Sequence, residues 1–275
     1  MLSKTLGSFF ALALVVPALA QAPAAPTLAS DPQEIFSIVP RHFGPMKYAG
    51  ERPSGGVDSY NWSGYAVTGA AFTKATGSWK EPKVNCKKSP NAYAAFWVGL
   101  DGYSSGTVEQ TGTLAVCTGT TVSYYAWWEF YPTNDIQTIS TITVSPGDVI
   151  SAEVEYSGSE FTLKITDVTT KKSFTTKGKV SGAARSSAEW IAEAPANSSG
   201  ILPLADFGTA DFGDDYTKVK GSNDATDSTA SGAISAFGTD VESITMINQS
   251  SGKDEAVPSN LSTDGSSFTV AWKSE

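Results

Sequence analysis

From about Val57 onward the chain is a succession of short runs rich in β-branched and aromatic residues, each closed by turn formers, with no amphipathic helical stretch of useful length. Apolar side chains recurring with period two read as strands, because successive side chains leave a strand on opposite faces. The clearest runs are 93–100, 122–130, 136–144, 149–156, 161–168, 187–192, 243–248 and 267–273. Ser145-Pro146-Gly147-Asp148, Ser157-Gly158 and Asp264-Gly265 supply tight turns, and Tyr156 to Glu160 predicts a hairpin. Many short strands at regular spacing predict an all-β fold, a sandwich or a barrel. Residues 206–233, rich in Asp, Gly, Ser and Thr, read as a long surface excursion.

The N-terminal region differs. Lys4, the apolar run Phe9 to Val16 and the small-residue site Ala18-Leu19-Ala20 have the pattern of a secretory signal peptide over residues 1–20. Secretion is therefore expected, extracellular or, in a Gram-negative host, periplasmic. Residues 21–56 carry Ala22-Pro23-Ala24-Ala25-Pro26, Asp31-Pro32, Pro40, Pro45 and Pro53-Ser54-Gly55-Gly56, punctuation that argues against a sheet. This segment reads as a propeptide or a linker, which leaves 57–275 as one β-domain. No later run is apolar enough to span a membrane. Cys86 and Cys117 are the only cysteines; in a secreted chain an even count predicts a disulfide, against two buried thiols.

Charge narrows the partners. With 19 Lys+Arg against 28 Asp+Glu, a net charge of −9 and no basic run, the chain lacks the footprint of a nucleic-acid binder. Charged residues are only 17%, so little positive self-repulsion builds up when carboxylates protonate, and acid should be tolerated. The only histidine, His42, lies in the segment read as a propeptide. A Ser-His-Asp or Cys-His mechanism then has no base in the β-domain, and a His-ligated metal site has no ligand. No metal and no cofactor are expected. Catalysis would have to come from carboxylates, amides, hydroxyls and aromatics. Asn-x-Ser/Thr occurs at Asn61, Asn197, Asn248 and Asn260 and matters only in a glycosylating host.

Four segments concentrate such groups: Trp97-Val98-Gly99-Leu100-Asp101-Gly102, Gln110-Thr111-Gly112, Trp127-Trp128-Glu129-Phe130-Tyr131-Pro132 and Ala188-Glu189-Trp190-Ile191-Ala192-Glu193, with Asn61-Trp62-Ser63-Gly64-Tyr65 upstream. Strand alternation puts Tyr125, Trp127, Glu129 and Tyr131 on one face, and Tyr124, Ala126, Trp128 and Phe130 on the other. The second face reads as core. The first, flat rings with polar tips, suits a peptide cleft. Glu189 and Glu193, four apart, share a face, so spacing alone does not choose between them.

In kind and order these four segments resemble those of the glutamic peptidases (eqolisins), and the chain looks closer to bacterial-type members. The likeness runs from about Asn61 to the end. It implies an antiparallel, concanavalin-like sandwich of two large bent sheets with the active site on the concave face. It implies catalysis by Gln110 and Glu193, and substrate-groove roles for Trp97, Asp101, Trp127, Glu129 and Tyr131. Asp101-Gly102 also reads as a simple turn. The extra cysteines of some fungal members are absent, so their disulfides do not carry over.

The chemistry agrees with that implication. A carboxylate can take a proton from water and return it to the leaving amine, and an amide can donate to the developing oxyanion. Such a pair works best in acid, where a carboxyl near pKa ~4.3 cycles between its forms. The expectation is a secreted, pepstatin-insensitive acid endopeptidase, made as a zymogen, monomeric, acting on polypeptides. Acidification should free a mature chain that begins between about residues 48 and 60. Two rivals are a secreted carbohydrate-binding or glycoside-cleaving sandwich, using Glu129 with Glu193 or Glu189, and a binding module without activity.

Overall fold

The structure, a computed structural model, describes residues 40–69 and 71–273. The expected signal peptide and the first part of the expected propeptide lie outside them. The first twelve strands are β1 (Tyr48–Glu51), β2 (Val57–Ser59), β3 (Trp62–Thr68), β4 (Lys74–Lys80), β5 (Tyr93–Leu100) and β6 (Val108–Thr118), then β7 (Thr121–Tyr131), β8 (Gln137–Thr138), β9 (Val149–Ser157), β10 (Glu160–Asp167), β11 (Lys172–Gly178) and β12 (Ser187–Glu193). One antiparallel run is β8–β7–β6–β5–β12–β3, extended by Val241–Ile247. A second is β11–β10–β9–β4, extended by Thr209–Phe212, Phe268–Trp272 and Asp254–Pro258. The runs join where Val241–Ile247 pairs with Asp254–Pro258. Val57–Ser59 departs from the antiparallel pattern and pairs parallel with Val241–Ile247.

Between the runs lies the apolar core. Phe96, Val98, Ala188, Trp190 and Ala192 meet Trp79, Ile150, Val154, Phe212 and Phe268, all buried. Phe212 stacks on Phe268 with ring centroids 4.9 Å apart and 3° between planes. A face buried this way leaves alternate residues of β5, β6, β7 and β12 facing away from the core. Those residues form the concave surface described below.

Most expected strands are present, and the hairpin forms where Ser157 pairs with Glu160. Three expectations need correction. Of 136–144, only Gln137–Thr138 is strand. Its buried Ile136, Ile139 and Ile142 recur every third residue, a spacing that a strand would split between faces. Residues 206–233 are not a surface excursion, because Phe207, Ala210, Phe212 and Ala225 are buried and two strands within it pair with β4. Within 21–56, Tyr48–Glu51 does form a strand, paired with β2.

Cys86 and Cys117 form a disulfide across a sequence separation of 31. Cross-linking a loop of this size removes chain entropy from the unfolded state worth about 3–4 kcal/mol. Replacing both cysteines by serine is expected to lower stability by about that amount in denaturant titration.

Candidate active site

Register fixes which side chains meet. Gln110 on β6 lies opposite Glu129 on β7 and Gly99 on β5, while Glu193 on β12 lies opposite Ala95 on β5. Gly99, Trp97 and Ala95 alternate along one strand, so Gln110, Glu129, Trp97 and Glu193 all project from the same face. Two glycines of the motifs make room for the indole between them. A Cβ on Gly99 would stand 2.8 Å from Trp97 Cζ3, and one on Gly112 would stand 2.6 Å from Trp97 Cβ and 2.1 Å from the Phe96 carbonyl oxygen.

Glu193 is 1% exposed. Its Oε2 accepts from Trp97 Nε1 at 2.8 Å and its Oε1 from Asn61 Nδ2 at 3.4 Å. Trp97 is braced by Trp62, edge to face with centroids 4.9 Å apart. Gln110, fully buried, donates from Nε2 to Glu129 Oε2 at 3.1 Å and to the Phe43 carbonyl oxygen, while its Oε1 has no protein partner. Glu129 also accepts from the Phe43 N–H at 3.0 Å and faces His42 Nδ1 at 2.8 Å.

His42 and Phe43 belong to a length of peptide laid across this face. The carbonyl of Arg41 accepts from Ile136 N at 2.9 Å, and Met46 N donates to the Gly102 carbonyl at 3.0 Å. Lys47 N donates to Asn61 Oδ1 at 2.7 Å. The Phe43 ring is fully buried against Trp127, with centroids 4.3 Å apart. His42 stands edge-on to Tyr131, and its Nε2 lies 3.2 Å from Asp135 Oδ1, which also accepts from Arg41 through its other oxygen at 2.9 Å. A cleft of about 970 Å³ opens above, lined by His42, Gly44, Asn61 and Tyr131 among others.

Of the expected groove residues, Trp97, Trp127, Glu129 and Tyr131 therefore gather with Gln110 and Glu193. Asp101 sits apart from them. Its carboxylate accepts from Arg185 N at 2.6 Å, Ser186 N at 2.9 Å and Ser105 Oγ at 3.0 Å, fastening two loops together. Glu189 shares the concave parity but lies four residues down the strand; it is fully buried and both its oxygens lack a protein partner. Sequence reasoning gave no role to Asn61, although it begins a quoted segment, and none to His42–Phe43. The contacts of this segment are long-range, spanning 86 and 87 residues to Glu129, and leave no local pattern.

Burial sets the electrostatics. Removed from water, Glu193 is pushed well above the usual carboxylate range; the Trp97 N–H opposes this and the Glu129 charge adds to it. Burial likewise lifts Glu129 to about 7, against the favourable contact with His42. The His42 ring, hydrogen-bonded to Glu129, is shifted upward. Among the described residues no cluster of His, Cys, Asp and Glu is arranged to hold a metal ion.

Trp97→Phe keeps a ring in place and removes the N–H that Glu193 accepts. Loss of a hydrogen bond to a charged group typically costs ~1.5–3 kcal/mol. If Glu193 acts as a base, kcat is expected to fall about 10- to 100-fold and the melting temperature by roughly 3–10 °C, read by initial rates and melting together.

One face of the β-sandwich thus buries an amide and two carboxylates beside a length of the chain's own peptide. The family model for the Peptidase A4 family matches residues 60–272. Aspergillopepsin-2 of Aspergillus niger is 30% identical over 237 residues, 78% of each chain. Scytalido-glutamic peptidase, solved with a transition state analog inhibitor, shares the fold with a TM-score of 0.64 at 23% identity, over 78% of this chain and 98% of that one. Aspergilloglutamic peptidase from Aspergillus niger gives 0.55 at 29% identity, over 66% and 99%. The chain belongs to the Peptidase A4 family, the glutamic peptidases. That membership supports an endopeptidase function with polypeptide substrates.

Proposed function

We propose that this chain is a secreted acid endopeptidase, made as a zymogen, in which Glu193 handles the proton and Gln110 holds the carbonyl oxygen. One observation carries the reading: the Gln110 amide already donates to the carbonyl of a length of the chain's own peptide, on the face that buries Glu193. In the reaction, Glu193 takes a proton from a water as that water adds to the substrate carbonyl carbon. The oxyanion that forms accepts from Gln110 Nε2, and Gln110 Oε1 is free to accept from the same water. Glu193 then delivers the proton to the leaving nitrogen.

Residues 41–47 occupy the face that a substrate would use, which keeps other polypeptides out of the precursor's cleft. Phe43 is held there by Gln110, Glu129 and Trp127, so the segment must leave before another chain can take its place. Solvent reaching Glu193 once the segment leaves relieves the desolvation that raises it and moves it back toward the ordinary carboxylate range. Residues 1–20 are the proposed signal peptide, and the segment preceding Val57 contains the proposed propeptide. Family membership favours peptide over glycoside chemistry. The test is hydrolysis of a denatured protein at about pH 3.5 with and without pepstatin. Pepstatin-resistant activity is expected, and cleavage of polysaccharide without cleavage of protein would overturn the reading.

A further inference from the structure

We infer that the Phe43–Gly44 peptide bond is the chain's own first substrate, the bond this site cuts when the precursor matures. The inference rests on the roles assigned above to Gln110 and Glu193. Residues 41–47 cross the site with bends at Arg41 and Pro45, and their carbonyls are handed to different partners. Arg41's goes to Ile136 N, Pro45's to Asn61 Nδ2 and Lys47's to Tyr60 N, while Phe43's takes the Gln110 amide. The Phe43 side chain is seated on Trp127 and its N–H is held by Glu129.

Direction follows from Asn61. Its Nδ2 lies 3.4 Å both from the Pro45 carbonyl and from Glu193 Oε1. The chain therefore passes from the Gln110 side at Phe43 to the Glu193 side at Pro45, and Phe43–Gly44 spans the interval. The neighbouring Gly44–Pro45 bond is a tertiary amide whose nitrogen belongs to a ring. Downstream, Tyr48–Glu51 is paired to β2, and Arg52 bridges to Asp58 at 2.7 Å and Asp254 at 3.0 Å. A cut after Phe43 thus frees everything upstream and leaves the new end tethered. This lies upstream of the window of about 48 to 60 expected from sequence.

The step consumes one water. Its oxygen bonds to the Phe43 carbonyl carbon, one of its protons passes through Glu193 to the Gly44 nitrogen, and the carbon–nitrogen bond breaks. Phe43 becomes a carboxylic acid and Gly44 an amine. The site would then favour substrates with an aromatic side chain before the cut and a small residue after it.

The test is acidification of purified full-length precursor to about pH 3.5, followed over time by intact mass and N-terminal sequencing, for wild type and Glu193→Gln. A first new terminus at Gly44, formed at a rate independent of protein concentration and lost in Glu193→Gln, is the expected result. A synthetic peptide of residues 41–47 added to the matured enzyme should be cut between Phe and Gly. If the first cut falls at another bond while Glu193→Gln stays intact, this inference is overturned and the catalytic assignment stands. If Glu193→Gln matures at the wild-type rate, the assignment of Glu193 itself falls.

Discussion

Thermal melting of the purified chain is expected to give its highest midpoint near about pH 4 and to fall steadily as the pH rises toward about 9. Three carboxyls away from Gln110 and Glu193 set this trend. Burial lifts Glu109 to about 9, with the Asp101 charge adding to it. Burial lifts Glu81 to about 7, opposed by Thr113 and Trp79. Glu189 is raised well above the ordinary range by burial, with Asp101 and Glu109 adding to it. In the unfolded chain each titrates near ~4.3. Between the two values the native state holds protons that the unfolded state has released, so raising the pH favours unfolding. The stability is fully present below about pH 4 and is lost as the pH passes through the folded values.

Glu109 alone contributes a swing on the order of 5 kcal/mol across that window. Asp264 runs the other way: held low by Ser267 and by the Ser266 and Ser267 N–H groups, it favours the fold above the ordinary Asp range. It is mostly exposed and does not reverse the trend. Glu109→Gln, which keeps the shape and removes the titration, is expected to flatten the profile above about pH 6. A melting temperature that holds steady or rises from about pH 4 to pH 8 would contradict this electrostatic picture.

Gln110→Ala is expected to cut kcat by about 10²–10³ while leaving KM within a few fold. The reason is that the amide's donor serves the oxygen as charge develops on it, more than the resting carbonyl. Measured on enzyme matured in trans by wild type, the change separates catalysis from self-processing. A loss confined to KM would instead make Gln110 a binding residue.

Much of this was legible in the residues. The alternation of Tyr125, Trp127, Glu129 and Tyr131 placed them on the face opposite the core, and the structure keeps Ala126 and Phe130 in that core. Gly99 and Gly112 looked like motif letters; the close approach of Trp97 supplies their physical reason. Legibility failed where burial ignores period two. The isoleucines of 136–142 are buried without a strand, and Phe207 and Phe212 reach the core from a polar stretch that hides them. β6, which carries Gln110, is buried on both faces with Thr, Gly and Gln among its residues, so no alternation announced it as a strand. The occupant of the cleft was the least visible feature, because its hold depends on partners far away in the chain.

The central claim is that Glu193 moves the proton in peptide hydrolysis. Its most direct measurement is the initial rate of protein digestion at about pH 3.5 by Glu193→Gln, matured in trans and shown to fold by circular dichroism. The account requires a fall of at least about 10²-fold, in line with removal of a general acid–base group. A folded variant that digests substrate within a few fold of wild type would contradict it.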